Sequence, residues 1–473
     1  MKRIEKIGVL AFVLAMSVSA QAQLAMPSVF SDNMVLQRNS DVPVWGWAGA
    51  MQELKIVGSW APGDTVKVKD ETGSGRWKTT IRTTKAGGPY TLTVIASATD
   101  VKEFRNVMLG EVWLCSGQSN MEWTPNSNIV NKEAEIAAAN HPDIRFFHIP
   151  KRVADTPQDN CDAAWAECTP QTMQKTSAVA YFFARRVQEE LGVPVGLIVT
   201  AWGGTPYEVW TKSELIDNNP LLKAAAPTQN SPWCPVTRGV LYNQMIVPVI
   251  PYTIAGALWY QGESNHGQYK TYGLGMRTMI EGWRADFGKE FPFYLVQIAP
   301  YTYNSQENTP ALLREQQEFI TKLVPKTGMA VVSDRVENVK DIHPIDKQSV
   351  GLRLANMALA ETYGAPLTGY KSPAFRSMVV EKGKAVVSFD NAEAGLMCPD
   401  RKIEGLKIAG TDGVFADAEG VIKGDKLIVS SPSVKEPVAV TFCFDDATCG
   451  NLFSNTGLPV APFRSNRVVT FYP

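Results

Sequence analysis

The sequence predicts an α/β fold in which a parallel sheet flanked by helices lies between two all-β regions. The first observation is that apolar strands alternate with helical segments between residues 109 and 365, the pattern of a parallel sheet covered by helices. The second is that three of those strands end in glycine-containing polar turns, which line one crevice in such a sheet. The third is that short runs on either side alternate apolar and polar residues, as antiparallel strands do.

Length and composition agree with a globular protein of several domains. One hydrophobic core rarely serves a chain of 473 residues, so two or three domains are expected. The hydrophobic fraction of 45% and the charged fraction of 20% are ordinary values for folded domains. The net charge of -1 and the lack of a basic run give no support to binding of nucleic acids or anionic membranes.

The amino terminus has the features of a secretory signal peptide. Lys2, Arg3 and Lys6 precede an apolar run from Ile7 to Val18, and Ala20-Gln-Ala22 supplies a cleavage site. The apolar run is too short to span a membrane, and no run of about 18 apolar residues follows it. We therefore expect residues 1–22 to be removed and the protein to be periplasmic or secreted, without a membrane span.

Residues 23–108 are predicted to form an amino-terminal β-sandwich domain, and residues 366–473 a carboxyl-terminal β domain. The alternating segments are Val42–Trp47, Thr65–Lys69, Trp77–Ile81 and Tyr90–Ile95 in the first region, and Met378–Glu381, Ala385–Phe389, Leu427–Val429, Val438–Phe442 and Val468–Tyr472 in the second. The first region contains no histidine. We therefore expect it to serve packing or binding and not to be the chemical centre.

The central region, residues 109–365, is predicted to carry the chemistry. Its opening strand starts near Glu111, and Ser177 can cap a helix that runs to Leu191 and is closed by Gly192. The other predicted elements are the strands Val195–Thr200, Ile254–Tyr260, Phe293–Ile298 and Met329–Ser333, and the helices Ala311–Leu323 and Gln348–Tyr363.

The opening strand ends in a polar turn, Ser116-Gly-Gln-Ser-Asn120. Gly117 can relax the backbone just before Ser119, and a serine at the carboxyl end of a core strand is where α/β folds place a nucleophile. The pattern alone also fits an ordinary turn. Ser119 is the preferred candidate because Ser116 remains within the end of the strand.

A serine nucleophile needs a base, and the chain has only four histidines. His343 follows a predicted strand and precedes a helix, so it can reach the crevice above Ser119. Asp341, two residues earlier, is the first candidate for the acid that orients the imidazole. Asp334 and Asp346 are the alternatives.

The other three histidines are less suited to the role of base. His266 lies beside the third polar turn and is expected to contact substrate. His141 and His148 are expected to be structural.

An oxyanion hole requires donors aimed at the developing negative charge. The candidates are the backbone N–H groups of Ser119 and Gly204, together with a side-chain amide of Gln261 or Asn265. Glu263, between those two amides, is expected to hold its turn by accepting from neighbouring backbone N–H groups. Gln118, next to the nucleophile, completes the predicted substrate-binding set.

Seven cysteines are an odd number for an exported protein. Cys161 with Cys168, and Cys443 with Cys449, are close enough in sequence for local disulfides, whereas Cys115 is expected to be a small core residue. No Cys-x-x-Cys pair or histidine-rich spacing indicates a metal site.

Three spaced motifs resemble the sialate O-acetylesterase family, a branch of the SGNH hydrolase superfamily: Gly117–Met121, Trp259–Asn265 and Asp341–Pro344. The flanking segments Met34–Arg38, Val44–Trp47, Asn451–Pro459 and Pro462–Arg464 resemble the two ends of the same family. The resemblance implies a flavodoxin-like, three-layer core with appended β domains, and hydrolysis of O-acetyl esters on sugars without a metal or cofactor.

By the same resemblance Ser119 is the nucleophile and His343 the base, with Gly204 and either Gln261 or Asn265 in the oxyanion hole. One position departs from the superfamily. Its acid lies three residues before the histidine, where this chain has Lys340, so the acid is open between Asp341, Asp334 and a dyad-like arrangement with no acid.

The sequence thus predicts an exported carbohydrate O-acetylesterase whose partner is an O-acetylated sugar or glycan. A sialate esterase is favoured, and an acetylxylan or other plant-polysaccharide esterase is the alternative substrate class. A non-catalytic glycan-binding protein and a glycosidase that uses Glu263 with Asp334 rank below these. No prediction is made for the oligomeric state.

Overall fold

The computed structural model describes residues 23–229, 231–305 and 307–471. The predicted signal peptide lies outside these residues. In the described part of the chain no helix combines the length and the apolar character needed to cross a membrane.

The amino-terminal region is built from short strands, most of which pair antiparallel. They are β1 (Val35–Gln37), β2 (Asp41–Trp47), β3 (Glu53–Gly58), β4 (Val66–Lys69), β5 (Arg76–Arg82) and β6 (Gly87–Ile95). Strand β2 pairs with β5, and β3 pairs with β4 and β6. Val42 and Val44 of β2 point inward while their neighbours are more exposed, so the alternation in the sequence matches one buried face.

A single long strand, β7 (Val101–Gly117), joins this region to the central one. Its first half pairs antiparallel with β6, and its second half pairs parallel with strands of the central sheet. The exposure alternates up to Asn106 and is followed by continuous burial, as expected when a strand passes from a one-sided sheet into one covered on both faces. The predicted boundary between residues 108 and 109 therefore falls inside one strand.

The central region alternates strands and helices. Its elements after β7 are α1 (Ser119–Glu122), α2 (Lys132–Ala138), β8 (His141–His148), β9 (Trp165–Cys168), α3 (Pro170–Met173), α4 (Ala178–Leu191), β10 (Val195–Ala201), α5 (Ser213–Asp217), α6 (Pro220–Ala225), β11 (Gly256–Tyr260), α7 (Tyr269–Phe287), β12 (Phe293–Val296), α8 (Thr309–Leu323), β13 (Thr327–Ala330) and α9 (Lys347–Glu361).

The central sheet has the strand order β13-β12-β11-β7-β10-β8-β9. Neighbouring strands are parallel from β13 to β8, which confirms the strand–helix prediction for that part. Strand β9 pairs antiparallel with β8. Strand β6 likewise pairs antiparallel with the first half of β7. The prediction of a wholly parallel sheet was therefore incomplete, because the sheet also contains antiparallel pairs. The sheet is mixed, because an edge strand can return beside its neighbour without a crossover helix.

Helices cover both faces of this sheet. Successive residues of a strand point to opposite faces, and in β7 Leu114 packs with the core that contains residues of α7 and α8. Its neighbour Cys115 packs with the core formed with α4 and α9. The central region thus has three layers, helices–sheet–helices.

The predicted helix caps are present in α4. The side chain of Ser177 accepts the N–H of Ala180 at 3.1 Å, and Gly192 takes a left-handed conformation with φ of 63°. The helix therefore begins after Ser177 and ends before Gly192, as the sequence predicts.

The carboxyl-terminal domain consists of small antiparallel sheets around its own core. Its strands are β14 (Ala374–Glu381), β15 (Lys384–Asp390), β16 (Leu396–Met397), β17 (Leu406–Ala409), β18 (Phe415–Asp417), β19 (Glu419–Lys423), β20 (Lys426–Ser430), β21 (Ala439–Phe442), β22 (Phe453–Ser454) and β23 (Phe463–Arg464). They form the sheets β14-β15-β20-β19 and β18-β17-β21-β23 and the pair β16-β22. Phe389, Phe442 and Phe463 lie in the shared core.

The end of the chain corrects one predicted element. Residues 468–471, the described part of the predicted last strand, are not in a strand. The guanidinium of Arg467 instead donates to both carboxylate oxygens of Glu318 in α8, at 2.6 and 2.7 Å. The terminal segment therefore packs on the helical layer and does not join a sheet.

The seven cysteines are all free thiols, so neither predicted local disulfide is present. The Sγ atom of Cys161 lies 3.7 Å from Oγ of Ser28, and that of Cys168 lies 3.8 Å from the carbonyl oxygen of Ala139. The thiols of Cys161 and Cys168 thus contact different parts of the fold and not each other. Cys115 is fully buried, as predicted, and burial raises the pKa of its thiol.

Candidate active site

Three polar turns meet at one edge of the central sheet. The register pairs Gly117, the last residue of β7, with Ala201 at the end of β10 and with Tyr260 at the end of β11. Because these strands are parallel and in step, the segments that follow them lie side by side. A Cβ atom at Gly117, whose φ is +139°, would lie 2.2 Å from the carbonyl oxygen of Tyr260. Only glycine fits where the strand breaks into the turn.

Ser119 and His343 form a hydrogen-bonded pair. Ser119 is the first residue of α1 and is partly exposed, and its Oγ lies 2.8 Å from Nε2 of His343. The two residues are 224 positions apart in sequence, and the loop between β13 and α9 carries the histidine back to the sheet edge. This distance allows an imidazole to remove the hydroxyl proton.

The acid behind His343 is only loosely placed. Oδ1 of Asp341 accepts the backbone N–H of His343 at 2.9 Å, but lies 3.6 Å from Nδ1 of the ring. That second distance is too long for a hydrogen bond, and the carboxylate is 56% exposed. Asp341 therefore shapes the loop and supplies a nearby negative charge.

The two alternative acids are engaged elsewhere. Asp334 makes a two-point ion pair with Arg353 at 2.7 and 2.6 Å. Asp346 caps α9 by accepting the N–H of Ser349 at 2.9 Å. These contacts explain both residues as structural.

The imidazole of His343 stacks on the indole of Trp123, with ring centroids 4.4 Å apart and planes inclined by 18°. Burial and the nearby ammonium of Lys347 lower the pKa of His343, and the charge of Asp341 opposes this shift. Burial and Lys347 thus favour the neutral form of the ring, which is the form a base requires.

The second turn brings backbone N–H groups beside the nucleophile. A Cβ atom at Gly203 would lie 3.1 Å from Cβ of Ser119, so this turn packs directly on the serine. The N–H of Gly203 donates to Oε2 of Glu122 at 2.7 Å. Within the described residues no such bond engages the N–H of Gly204, which leaves it available as an oxyanion donor together with that of Ser119.

The two predicted amide donors are engaged in hydrogen bonds with neighbouring residues. The amide nitrogen of Gln261 donates to Oδ1 of Asn265 at 2.7 Å and to the carbonyl of Thr205 at 3.2 Å. That of Asn265 donates to Oε2 of Glu208 at 3.0 Å, and both amides are fully buried. Their hydrogen bonds are used to fasten the second turn to the third. A role of either amide in stabilising the oxyanion stays a prediction.

Gln118 and Glu263 are buried residues whose side chains hydrogen-bond one turn to another. Oε1 of Gln118 accepts the N–H groups of Gly262 and Ser264 at 3.4 and 3.3 Å, which ties the first turn to the third. Oε1 of Glu263 accepts the side-chain amide of Asn120 at 2.6 Å. Glu263 therefore links the third turn to the side chain of Asn120.

His266 lies at the outer side of the third turn. Its Nδ1 is 2.9 Å from Oγ1 of Thr309, and its ring is 4.7 Å from that of Tyr303. Contact with substrate stays a prediction for this residue. His141 and His148 are the first and last residues of β8.

Two buried residues of the site were not predicted. Asn120 follows the nucleophile, and Lys347, the first residue of α9, donates to it at 2.5 Å. Asn120 lies inside the motif Gly117–Met121, and Lys347 lies three residues after the motif Asp341–Pro344. Lysine is almost always exposed, however, so sequence alone gave no reason to place this one in the site.

In chemical terms, the first two turns present a serine and two backbone N–H groups, and the loop between β13 and α9 adds an imidazole beside the serine. This combination suits nucleophilic attack on an ester carbonyl. Within the described ranges, no group of three or more His, Cys, Asp or Glu side chains is arranged to hold a metal ion.

Comparisons with known proteins agree with this chemistry. The profile of a carbohydrate esterase family, sialic acid-specific acetylesterase, matches residues 109–360. Sialate O-acetylesterases from Pongo abelii and Homo sapiens are each 30% identical to this chain, over 77% of it and 76% of their own length. A solved carbohydrate acetylesterase from Xanthomonas citri is 34% identical, with a TM-score of 0.84 over 94% of this chain and 100% of that one.

The fold, the site and these relatives define the protein as a carbohydrate esterase, a hydrolase of carboxylic esters. The chain belongs to the sialic acid-specific acetylesterase family. The resemblance seen in the sequence motifs is thereby confirmed.

Proposed function

We propose that the protein removes O-acetyl groups from sugars by a two-step serine mechanism in an SGNH-type site. The observation that carries the proposal is the 2.8 Å contact between Ser119 Oγ and His343 Nε2 at the meeting point of three strand-end turns. The three-layer arrangement of sheet and helices is consistent with the flavodoxin-like core of SGNH hydrolases.

In the first step His343 takes the hydroxyl proton of Ser119 as the oxygen attacks the acetyl carbonyl. The oxyanion forms beside the N–H groups of Ser119 and Gly204, and its collapse expels the sugar oxygen, which takes the proton from the imidazolium and leaves as a hydroxyl group. In the second step a water molecule, deprotonated by the same imidazole, attacks the acetyl-serine and releases acetate.

Replacement of the nucleophile tests this mechanism. Ser119→Ala is expected to lower hydrolysis of an aryl acetate by at least about 1,000-fold, because neither an acyl-enzyme nor the activated hydroxyl remains. Ser116→Ala is the matched control from the same motif, since this hydroxyl is buried and has no partner among the described residues. It should retain activity. Circular dichroism checks the fold of both variants, and full activity in Ser119→Ala would refute the serine mechanism.

An acetylated sialic acid is the favoured substrate, because the matched family and the curated relatives carry that specificity in their descriptions. Acetylxylan and pectin offer similar esters, so acetate release should be compared across all three at equal ester concentration. The highest kcat/KM on the sialic acid substrate is expected. A preference for xylan or pectin would reassign the substrate and leave the mechanism in place.

The two competing interpretations predict different results. A glycan-binding protein would release no acetate and would not react at Ser119 with a serine-directed phosphonate. A glycosidase would need Glu263 and Asp334 as paired carboxylates, yet Asp334 is 5% exposed and bound to Arg353. That ion pair disfavours the glycosidase.

Export by the amino-terminal signal peptide also belongs to the proposal. It is supported by the basic residues, the apolar run and the Ala-Gln-Ala site of the sequence. Amino-terminal sequencing of the protein recovered from the producing cells should start near Gln23.

A further inference from the structure

Lys347 places a buried ammonium group behind the candidate active site. The residue is 1% exposed, and its Nζ donates to Oδ1 of Asn120 at 2.5 Å. The same nitrogen lies 5.7 Å from the ring centroid of Trp123 and 5.5 Å from that of Tyr260. Its closest partners are thus one amide and two aromatic rings, a position in which the charge is attracted to the ring faces.

This is an unfavourable place for a lysine if stability alone is considered. Taking an ammonium group out of water costs several kcal/mol unless a carboxylate is paired with it. Lys347 also begins α9, where a positive charge opposes the helix dipole. Burial lowers its pKa to about 7. The free-energy cost of burying this ammonium next to the active site indicates that Lys347 has a functional role there.

The contacts of Asn120 show what the ammonium holds. The amide nitrogen of Asn120 donates to Oε1 of Glu263 at 2.6 Å and to the carbonyl oxygen of Ile342 at 3.1 Å. Ile342 immediately precedes His343, and Asn120 immediately follows Ser119. One amide therefore links the nucleophile turn, the third turn and the loop of the base.

We propose that Lys347 is a positioning residue of the active site, which acts through Asn120 to fix the loop of His343 against the turn of Ser119. The ammonium polarises the amide from its oxygen side and so strengthens the hydrogen bonds that the amide nitrogen donates. The inference rests on the proposed serine mechanism, because it assigns a role toward the two residues that carry it.

The charge of Lys347 has a second consequence, which can be measured. Four carboxylates raise the pKa of Lys347: Glu263, Glu337, Asp341 and Asp346. The ammonium in turn lowers the pKa of His343, in the same direction as burial, while Asp341 raises it. A base is active only when neutral, so loss of the ammonium should move the acidic limb of the kcat/KM profile to higher pH.

The test compares Lys347→Met with Lys340→Met, an exposed lysine of the same loop. For Lys347→Met we expect kcat/KM on an aryl acetate to fall about 10- to 100-fold, because small displacements of catalytic groups have effects of this size. The acidic limb should move to higher pH, and Tm should not fall, because a buried cation is replaced by an apolar chain of similar length. Lys340→Met should keep kcat/KM within about twofold and leave the limb in place.

Lys347→Gln separates the tether from the charge, since it keeps an N–H donor but no cation. It should show the shift of the acidic limb with a smaller loss of kcat/KM than Lys347→Met. The inference is overturned if the limb does not move, or if kcat/KM stays within about twofold of the parent. It is also overturned if both variants lose their fold and activity together, because Lys347 would then be structural.

Failure of this inference can be told apart from failure of the proposed function. The rate at which a serine-directed phosphonate labels Ser119 is measured in the parent and in Lys347→Met. No labelling of the parent at Ser119 would refute the serine mechanism itself. Equal labelling rates in the two proteins would refute only the role of Lys347, and slower labelling in the variant would support it.

Discussion

Asp341 lies close to the base of the candidate pair without a hydrogen bond to its ring. Its strongest contact is with the backbone N–H of His343 at 2.9 Å, whereas Nδ1 of the ring is 3.6 Å away. An acid that is hydrogen-bonded to the ring fixes its tautomer and stabilises the imidazolium. A half-exposed carboxylate at the longer distance gives a weaker, solvent-screened stabilisation. We therefore assign Asp341 mainly to the shape of the loop.

This assignment predicts different effects for two substitutions of Asp341. Asp341→Asn keeps an oxygen acceptor for the N–H of His343 and removes the charge, so kcat/KM should fall by only about fivefold, the size of an exposed ion pair. Asp341→Ala removes the acceptor as well, so its kcat/KM should fall further, by about tenfold or more. Steady-state kinetics with an aryl acetate measure both. A loss of about 10,000-fold in Asp341→Asn would instead be the signature of a tightly coupled triad.

The residues that could be predicted from sequence are those whose position on the chain dictates their place. Ser119 follows a core strand and His343 belongs to a set of four histidines, so their meeting was predictable. A sequence shows that Gln261 and Asn265 carry amides but not which hydrogen bonds they make, so their engagement between the second and third turns was not predictable. Lys347 was missed because full burial of lysine is rare.

At the scale of elements, periodicity located the strands and helices but not all their ends. Strand β7 was divided at residue 108 because its pattern changes there from alternating to continuously apolar. The change marks a new environment and not a break in the backbone, which continues to Gly117. The apolar pattern of the sequence therefore located the two kinds of sheet, but it did not show that one strand runs through both.

Helix α7 (Tyr269–Phe287) shows why one long element had no clear signal. It contains Gly273, Gly275 and Gly282, and glycine in a helix interior is unfavourable by about 1 kcal/mol each. All three face close neighbours, and the shortest approach is at Gly275. A Cβ atom at Gly275 would lie 2.1 Å from the phenol of Tyr207. Close approach between the helix and the segment after β10 thus outweighs helix propensity.

At the scale of the whole molecule, the carboxyl-terminal domain reaches the loop beside the active site. The carboxylate of Asp446 accepts the N–H and the hydroxyl of Ser305 at 2.7 and 2.5 Å, and its backbone carbonyl accepts the N–H of Tyr301 at 3.1 Å. The same loop carries Tyr303, whose ring lies 4.7 Å from that of His266. A residue outside the esterase region therefore helps to shape the wall next to the third turn.

This contact predicts that Asp446 affects large substrates more than small ones. In Asp446→Ala the loop loses two charge-assisted hydrogen bonds, each worth about 1.5–3 kcal/mol to its order. KM for an acetylated glycan should rise by about three- to tenfold, because the loop must then be ordered when the glycan binds. Hydrolysis of an aryl acetate, which needs only Ser119 and His343, should stay within about twofold of the parent.

The matched control for this experiment is Asp417→Ala, which removes an exposed carboxylate of β18 in the same domain. It should leave KM for the glycan unchanged. Equal losses on both substrates in Asp446→Ala would mean that the domain supports the catalytic pair itself. An unchanged KM for the glycan would mean that the loop does not contact it. The expected split between the two substrates would instead make the carboxyl-terminal domain part of the substrate site, acting through the loop held by Asp446.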